Sequence, residues 1–197
     1  KMPIYSIDIE TTSEGGFPNV DSPSEKLLVI TLQNNNTKKI TTFGLGEFTP
    51  GPDTEKFDID WIGCKDEYTL IKTFLEWWEE NTPDIITGWN SQLFDIPYLL
   101  ARTERILGEG EHKRFSPFGL VNRRPIRFAN REMTAYEITG VAQLDYLDLY
   151  KKFTYVTRES YKLDFIAETE LGKNKLESGF ETFKEFYDGD WNRFVEY

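Results

Sequence analysis

The sequence predicts an α/β domain in which helices flank a mixed sheet. Three observations carry that expectation. The first third alternates short runs rich in Ile, Val and Thr with turn residues, the signature of strands. From Asp66 onward the apolar spacing lengthens to that of a helix. A further buried run, Ile85-Ile86-Thr87, then separates two helical stretches, as expected of layered strand–helix alternation. The 197 residues suffice for one domain with a sizeable insertion, but hardly for two full domains.

The elements follow in chain order. Ile4–Ile9, Leu27–Leu32 and Lys39–Phe43 read as strands, with Asn34-Asn35-Asn36 as a turn between the last two. Gly44–Asp53 reads as loop, and Phe57–Trp61 as a short strand. Asp66 can cap a helix whose apolar face is Ile71, Phe74, Leu75 and Trp78, ending before Pro83. After the Ile85–Thr87 strand, Pro97 suits the first turn of a second helix running to Leu107, closed by Gly108 and Gly110. Pro125–Gly140 reads as an inserted hairpin, with Ile126 and Phe128 on one arm and Tyr136 and Ile138 on the other. Ser160 can cap a helix carrying Leu163, Ile166, Ala167 and Leu171, stopped by Gly172. Asp190 can cap a last one with Trp191, Phe194 and Val195 on its apolar side.

Composition bounds the function. With 39% hydrophobic and 15% aromatic residues the chain can build a real core, which excludes a disordered segment. Thirty-four acidic against 23 basic residues give a net charge of −11, which argues against binding nucleic acid or anionic membrane over the whole surface but leaves room for a local basic site. The single cysteine, Cys64, excludes an internal disulfide framework and is a poor basis for a zinc site; it reads as a small buried hydrophobe. Leu27–Ile30 is the longest aliphatic run, far short of the roughly 20 residues of a membrane helix. The expectation is a soluble, cytoplasmic monomer with no membrane partner. Both ends read as cut from a longer protein.

The sharpest feature is Asp8-Ile9-Glu10 within an apolar strand. Residues i and i+2 share a face, so the two carboxylates emerge side by side. Carboxylates that close repel each other, and a hard divalent cation such as Mg²⁺ or Mn²⁺ relieves the conflict. Asp95 lies in Asn90-Ser91-Gln92-Leu93-Phe94-Asp95-Ile96-Pro97-Tyr98-Leu99, just beyond the carboxyl end of the Ile85–Thr87 strand, where α/β sheets present ligands.

These residues carry a resemblance. Asp8-Ile9-Glu10-Thr11 is similar to the first exonuclease motif of family B DNA polymerases, and Asn90–Leu99 fits the second, N-x-x-x-F-D-x-P-Y-L, at every specified position. Ser160–Ala167 with Leu171-Gly172-Lys173 resembles the segment preceding the third motif, and Gln143–Phe153 most resembles the polymerases of large tailed phages. The resemblance covers nearly the whole chain. It implies a single 3′→5′ proofreading exonuclease domain over residues 1–197, of ribonuclease H-like fold, forming part of a longer polymerase. It also implies two divalent metal ions, Mg²⁺ or Mn²⁺, held by Asp8, Glu10 and Asp95, with Asp8 bridging both. Tyr197 would be the water-positioning tyrosine of the third motif, whose aspartate would fall beyond the last residue. In that case Asp164 is a helix-surface residue rather than a ligand, and Asp145 and Asp148 are structural.

The nucleic acid has candidate contacts too. Asn90 and Phe94 would shape the pocket for the terminal nucleotide. Lys113, Arg114, Arg123, Arg124, Arg127 and Arg131 form a basic stretch without an acidic residue, interleaved with Phe115, Phe118 and Phe128; such a stretch can hold phosphates and stack bases. Arg123, Arg124, Arg127 and Arg131 are the arginines assigned to DNA. The expected partners are a single-stranded 3′ DNA end or a primer–template, and the remainder of the polymerase. A non-catalytic single-stranded DNA-binding module and a free-standing RNA exonuclease are the alternatives. His112 is expected on a surface loop, and Trp77, Trp78 and Trp89 in the core.

Overall fold

In the computed structural model, residues 1–128, 131–176 and 178–197 are described. The strands are β1 (Ile4–Thr11), β2 (Leu27–Asn34), β3 (Ile40–Leu45), β4 (Ile59–Cys64), β5 (Ile85–Gly88), β6 (Val121–Phe128), β7 (Arg131–Ile138) and β8 (Ala142–Asp145). The helices are α1 (Glu67–Glu80), α2 (Asp95–Leu107), α3 (Tyr146–Phe153), α4 (Leu163–Leu171), α5 (Phe183–Gly189) and α6 (Trp191–Glu196), with a 3₁₀ turn at Glu111–Phe115. Six strands form a mixed sheet in the order β4-β3-β2-β1-β5-β8, and β6 pairs with β7 in a separate hairpin. β2 runs antiparallel to both β1 and β3, while β1/β5, β5/β8 and β3/β4 are parallel. The expected mixed sheet, flanked by helices and carrying an inserted hairpin, is therefore present.

Alternation along β1 sets the two faces. Tyr5, Ile7, Ile9 and Thr11 are buried, and the first three pack with Leu70, Ile71, Phe74 and Trp78 of α1 and with Ile96 and Leu99 of α2. Asp66 caps α1 by accepting from the Thr69 N–H at 2.8 Å. The Trp78 indole N–H donates to the Phe115 carbonyl at 2.9 Å. Leu28 and Val29 join a second cluster with Phe186, Tyr187 and Phe194 of α5 and α6. Gly44 in β3 has no side chain because the Trp61 ring lies where its Cβ would be.

A buried ion pair ties α1 to α2. Arg102 donates through Nε and Nη2 to the two oxygens of Glu67 at 2.6 and 2.7 Å. Its Nη1 donates to the carbonyls of Pro23 and Ser24 at 2.7 and 3.2 Å. Glu67 also accepts from the Leu27 N–H at 2.8 Å.

Several boundaries differ from the sequence expectation. β4 starts at Ile59 rather than Phe57, because it takes its register from β3 (Ile40↔Ile59). The hairpin arms begin at Val121 and reach Ile138; cross-strand pairing extends beyond what the turn chemistry alone suggests, and the tip at Ala129-Asn130 lies outside the described residues. Ser160 does not cap α4. Its hydroxyl accepts from the Lys162 N–H at 3.3 Å, and the helix begins at Leu163 after Lys162, which makes no side-chain cap bond. Trp89 is not a core residue: its indole N–H reaches the Tyr161 carbonyl at 3.1 Å, and its ring lies against Tyr146 and Tyr150.

His112 is buried rather than in an exposed loop, because the 3₁₀ turn packs it between Glu104 (Nδ1 to Oε1, 3.2 Å) and the Tyr136 ring. Burial lowers its pKa from 6.5; Glu104 opposes that shift, while Arg123 and Lys113 add to it. A folded-state pKa below the unfolded value means that the unfolded chain takes up a proton the folded chain resists. Stability is therefore lost as pH falls below about 6.5 toward the folded value. In urea melts between pH 7.5 and 5, wild type should lose stability relative to His112→Gln; parallel pH profiles for the two proteins would refute this.

Candidate active site

Asp8 and Glu10 stand on the face of β1 opposite its buried residues, in the middle of the sheet. Asp95 opens α2, after the loop that leaves β5, the parallel neighbour of β1. Strand pairing thus brings the three carboxylates together across the chain. Asp95 Oδ1 accepts from the Ile9 N–H at 3.2 Å, the backbone N–H between Asp8 and Glu10. Asp95 is 4% exposed.

All three resist ionisation. Burial pushes the Asp95 carboxyl well above the usual aspartate range, and the charges of Asp8 and Glu10 push it further. Glu10 is raised to about 7, first by burial and then by Asp8. Asp8 is also raised by burial, against the partly compensating charge of Lys175. Its side chain keeps contact with solvent, which weakens that burial effect.

The donor set fits a hard divalent cation: it consists of carboxylate oxygens only, from groups whose charges oppose one another. Among the described residues, no group of three or more His, Cys, Asp or Glu side chains is placed to hold a metal ion by itself. Mg²⁺ needs fewer protein ligands, because it keeps several waters and binds through one or two carboxylates plus substrate phosphate.

Lys175, between α4 and α5, is a neighbour that sequence reasoning missed. Its Nζ lies 4.3 Å from the centre of the Tyr197 ring, and its backbone N–H donates to Asp164 Oδ1 at 2.9 Å. Asp164 therefore holds this loop. Tyr197 packs against Phe186 at 5.4 Å between ring centres, and the lysine over its ring is the one whose charge lowers Asp8 and Glu10.

The second-motif residues are arranged by Asp145, which is buried and accepts from the N–H groups of Asn90, Gln92 and Leu147 at 2.9, 3.0 and 2.9 Å. One carboxylate thus shapes the loop and caps α3, the structural role expected of it. Asn90 has φ of 63°, a left-handed conformation that asparagine tolerates better than most residues. Phe94 is sandwiched between Tyr98 (5.6 Å) and Phe17 (5.3 Å). Phe17, another residue the sequence did not single out, is 86% exposed. It lines a cleft of about 370 Å³ with Leu93, Phe94 and Met133. A groove of about 440 Å³ leads from Asp8 past Thr87, Trp89, Tyr146 and Leu163.

The arginines divide into two groups. Arg114 is bidentate to Glu79 at 2.7 Å and also pairs with Glu111, while Arg123 pairs with Glu104 and lies over the Tyr136 ring. Arg124 lines a cleft between the hairpin and the Gln92-Leu93 loop, and Arg127 is exposed. The side chain of Arg131 lies outside the described residues.

Comparison with known proteins identifies the family. The family described as DNA polymerase family B, exonuclease domain, matches residues 1–166. The DNA-directed DNA polymerase of Escherichia phage RB69 is 32% identical over 201 residues, covering 89% of this chain and 22% of its own length. That of Enterobacteria phage T4 is 40% identical over 130 residues, covering 66% of this chain and 14% of its own length. A DNA polymerase catalytic subunit of Human herpesvirus 8 is 27% identical over 185 residues. The chain therefore spans less than a quarter of the length of the two phage relatives.

Proposed function

Given that the chain belongs to the DNA polymerase family B exonuclease domains, we propose that it hydrolyses the 3′-terminal phosphodiester of single-stranded or frayed primer DNA, releasing nucleoside 5′-monophosphates. One observation carries this reading: strand pairing brings Asp8, Glu10 and Asp95 near enough that the charge of Asp8 opposes ionisation of Glu10, and those of Asp8 and Glu10 oppose ionisation of Asp95. Asp8, Glu10 and Asp95 would hold two divalent ions, Mg²⁺ or Mn²⁺, which would supply an activated water and charge stabilisation at the leaving 3′ oxygen; Asp8 would contribute to both positions, Glu10 to one and Asp95 to the other.

The remaining roles fall to the chain's own residues. Phe17 and Phe94 offer a stacking surface for a terminal base, since aromatic rings bind bases of any sequence. Asn90 shapes the loop behind Phe94. Tyr197 orients the attacking water from the rim. Arg124 and Arg127, which lie on the exposed hairpin, hold phosphates. The partner is the rest of a polymerase chain, the working form is a monomer, and the place of action is the cytoplasm of a host cell. Among the described residues, no helix is long and apolar enough to cross a membrane.

The test is Mg²⁺-dependent degradation of a 3′-labelled single strand by the complete polymerase chain. Release of labelled 5′-mononucleotide, abolished by Asp8→Ala with Glu10→Ala, is expected; unchanged release by that double variant would overturn the reading. Arg124→Ala with Arg127→Ala should weaken single-stranded DNA binding and reduce the slope of log affinity against log salt by about 0.7 for each phosphate left unneutralised. An unchanged slope would remove these two arginines from the DNA path.

A further inference from the structure

Thr12 to Lys26 is a closed surface loop. The Thr12 N–H donates to the Lys26 carbonyl at 2.8 Å, and the Lys26 N–H donates to the Thr12 hydroxyl at 2.9 Å. The exposed Phe17 sits within it. Such loops keep one shape only when packed and bonded internally, and this one is organised on a single buried carboxylate, Glu25. Glu25 accepts from the Thr12 hydroxyl and from the N–H groups of Glu14 and Gly15 at 3.0 and 2.7 Å. Burial alone would raise its carboxyl, but these donors and the nearby Arg102 outweigh it and hold the group below the ordinary glutamate range. A Cβ on Gly15 would stand 3.0 Å from Glu25 Oε1, so the absence of a side chain there is part of the fit.

The same residue anchors the other side of the stacking surface. The Tyr98 hydroxyl donates to the Glu25 carbonyl at 2.7 Å, Tyr98 packs on Phe94, and Phe94 packs on Phe17. Glu25 thus grips the loop that carries Phe17 with its side chain and fixes the aromatic row beneath Phe17 with its backbone.

We propose that Glu25 is a positioning residue for DNA: by clamping the Thr12–Gly15 segment it holds Phe17 against Phe94, so that the pair presents one stacking surface to the 3′-terminal base. This rests on the reading of Phe17 and Phe94 as a base-stacking surface, and the test separates the two. A single-stranded DNA with 2-aminopurine at its 3′ end is titrated with the 197-residue chain in EDTA, where no cleavage occurs; the probe's fluorescence reports stacking of the terminal base.

Phe17→Ala and Glu25→Ala should each weaken binding by about tenfold, within the range of one base–aromatic stack, and should leave the bound probe bright. The double variant should be no weaker than either single one, because both changes remove the same interaction. Glu25→Gln, which keeps one acceptor oxygen, and Gly15→Ala, which crowds the carboxylate, should fall between. Both serve as readouts if Glu25→Ala fails to fold by circular dichroism. If Phe17→Ala weakens binding but the Glu25 and Gly15 variants bind as wild type, or if the Phe17 and Glu25 effects multiply, the positioning role is overturned. If Phe17→Ala itself binds as wild type, the stacking surface fails, and the positioning role fails with it.

Discussion

Asp95→Asn is expected to abolish nucleotide release while raising the melting temperature of the metal-free protein. Asparagine keeps the acceptor that receives the Ile9 N–H, so the start of α2 is preserved. It removes a carboxyl that burial and the charges of Asp8 and Glu10 hold in a protonation state it does not favour. Its amide can donate to Asp8, turning repulsion into a hydrogen bond. Activity should fall by about 10³-fold or more, since losing a ligand forfeits several kcal/mol of charge stabilisation at about 1.4 kcal/mol per decade. Stability should rise, by about 2–4 °C in melting temperature per kcal/mol gained. Thermal melts in EDTA alongside the nuclease assay check both. A variant that loses stability together with activity would show that Asp95 is held by favourable contacts rather than by the demands of chemistry.

Arg102→Leu should be the most damaging change away from the site. It leaves the Glu67 carboxylate buried with only the Leu27 N–H and strips the Pro23 and Ser24 carbonyls of their donor. Breaking a buried pair by removing one partner costs about 3–5 kcal/mol, a large part of the roughly 5–15 kcal/mol that holds a domain folded. Glu67→Leu in the Arg102→Leu background should recover part of the loss, because no uncompensated charge remains, but not all of it, because the Leu27 N–H would then lack its acceptor. Urea unfolding of the three variants tests this. A double variant less stable than Arg102→Leu would mean that the carboxylate is satisfied without its arginine.

The legible features were those whose cause is local. Alternation in Ile4–Ile9 exposed the strand and put Asp8 and Glu10 on one side of it, and the α1 cap followed from Asp66. The position of Asp95 followed from its context after β5. What could not be read arises from contacts between distant segments. His112 looked like a polar loop residue among Glu111 and Lys113; only the packing of α2 and β7 around it makes it buried. Arg114 and Arg123 looked free because the basic stretch itself holds no acidic residue, yet Glu79 and Glu104 meet them in space. Lys175 lies in an unremarkable polar loop shortly after Gly172, and Glu25 is an ordinary glutamate until Thr12, Glu14 and Gly15 converge on it. α5 has no long apolar period, and its capping box at Thr182 and Glu185 went unread.

The pairing of β1 with β5 has a consequence for the order of assembly. The bond between Ile9 and Asp95 spans 86 residues, whereas the β1–β2–β3 meander closes within the first 45. Non-local contacts carry their loop-closure entropy before they yield any return, so they form late. As the chain leaves the ribosome, the meander can form while α2 is still unmade, with Asp8 and Glu10 exposed as two ordinary surface acids. The third carboxylate arrives only when β5 has slotted beside β1. A partly synthesised or partly unfolded chain therefore has not yet brought the three carboxylates together, and the activity proposed for them has to wait until the sheet is complete through its fifth strand.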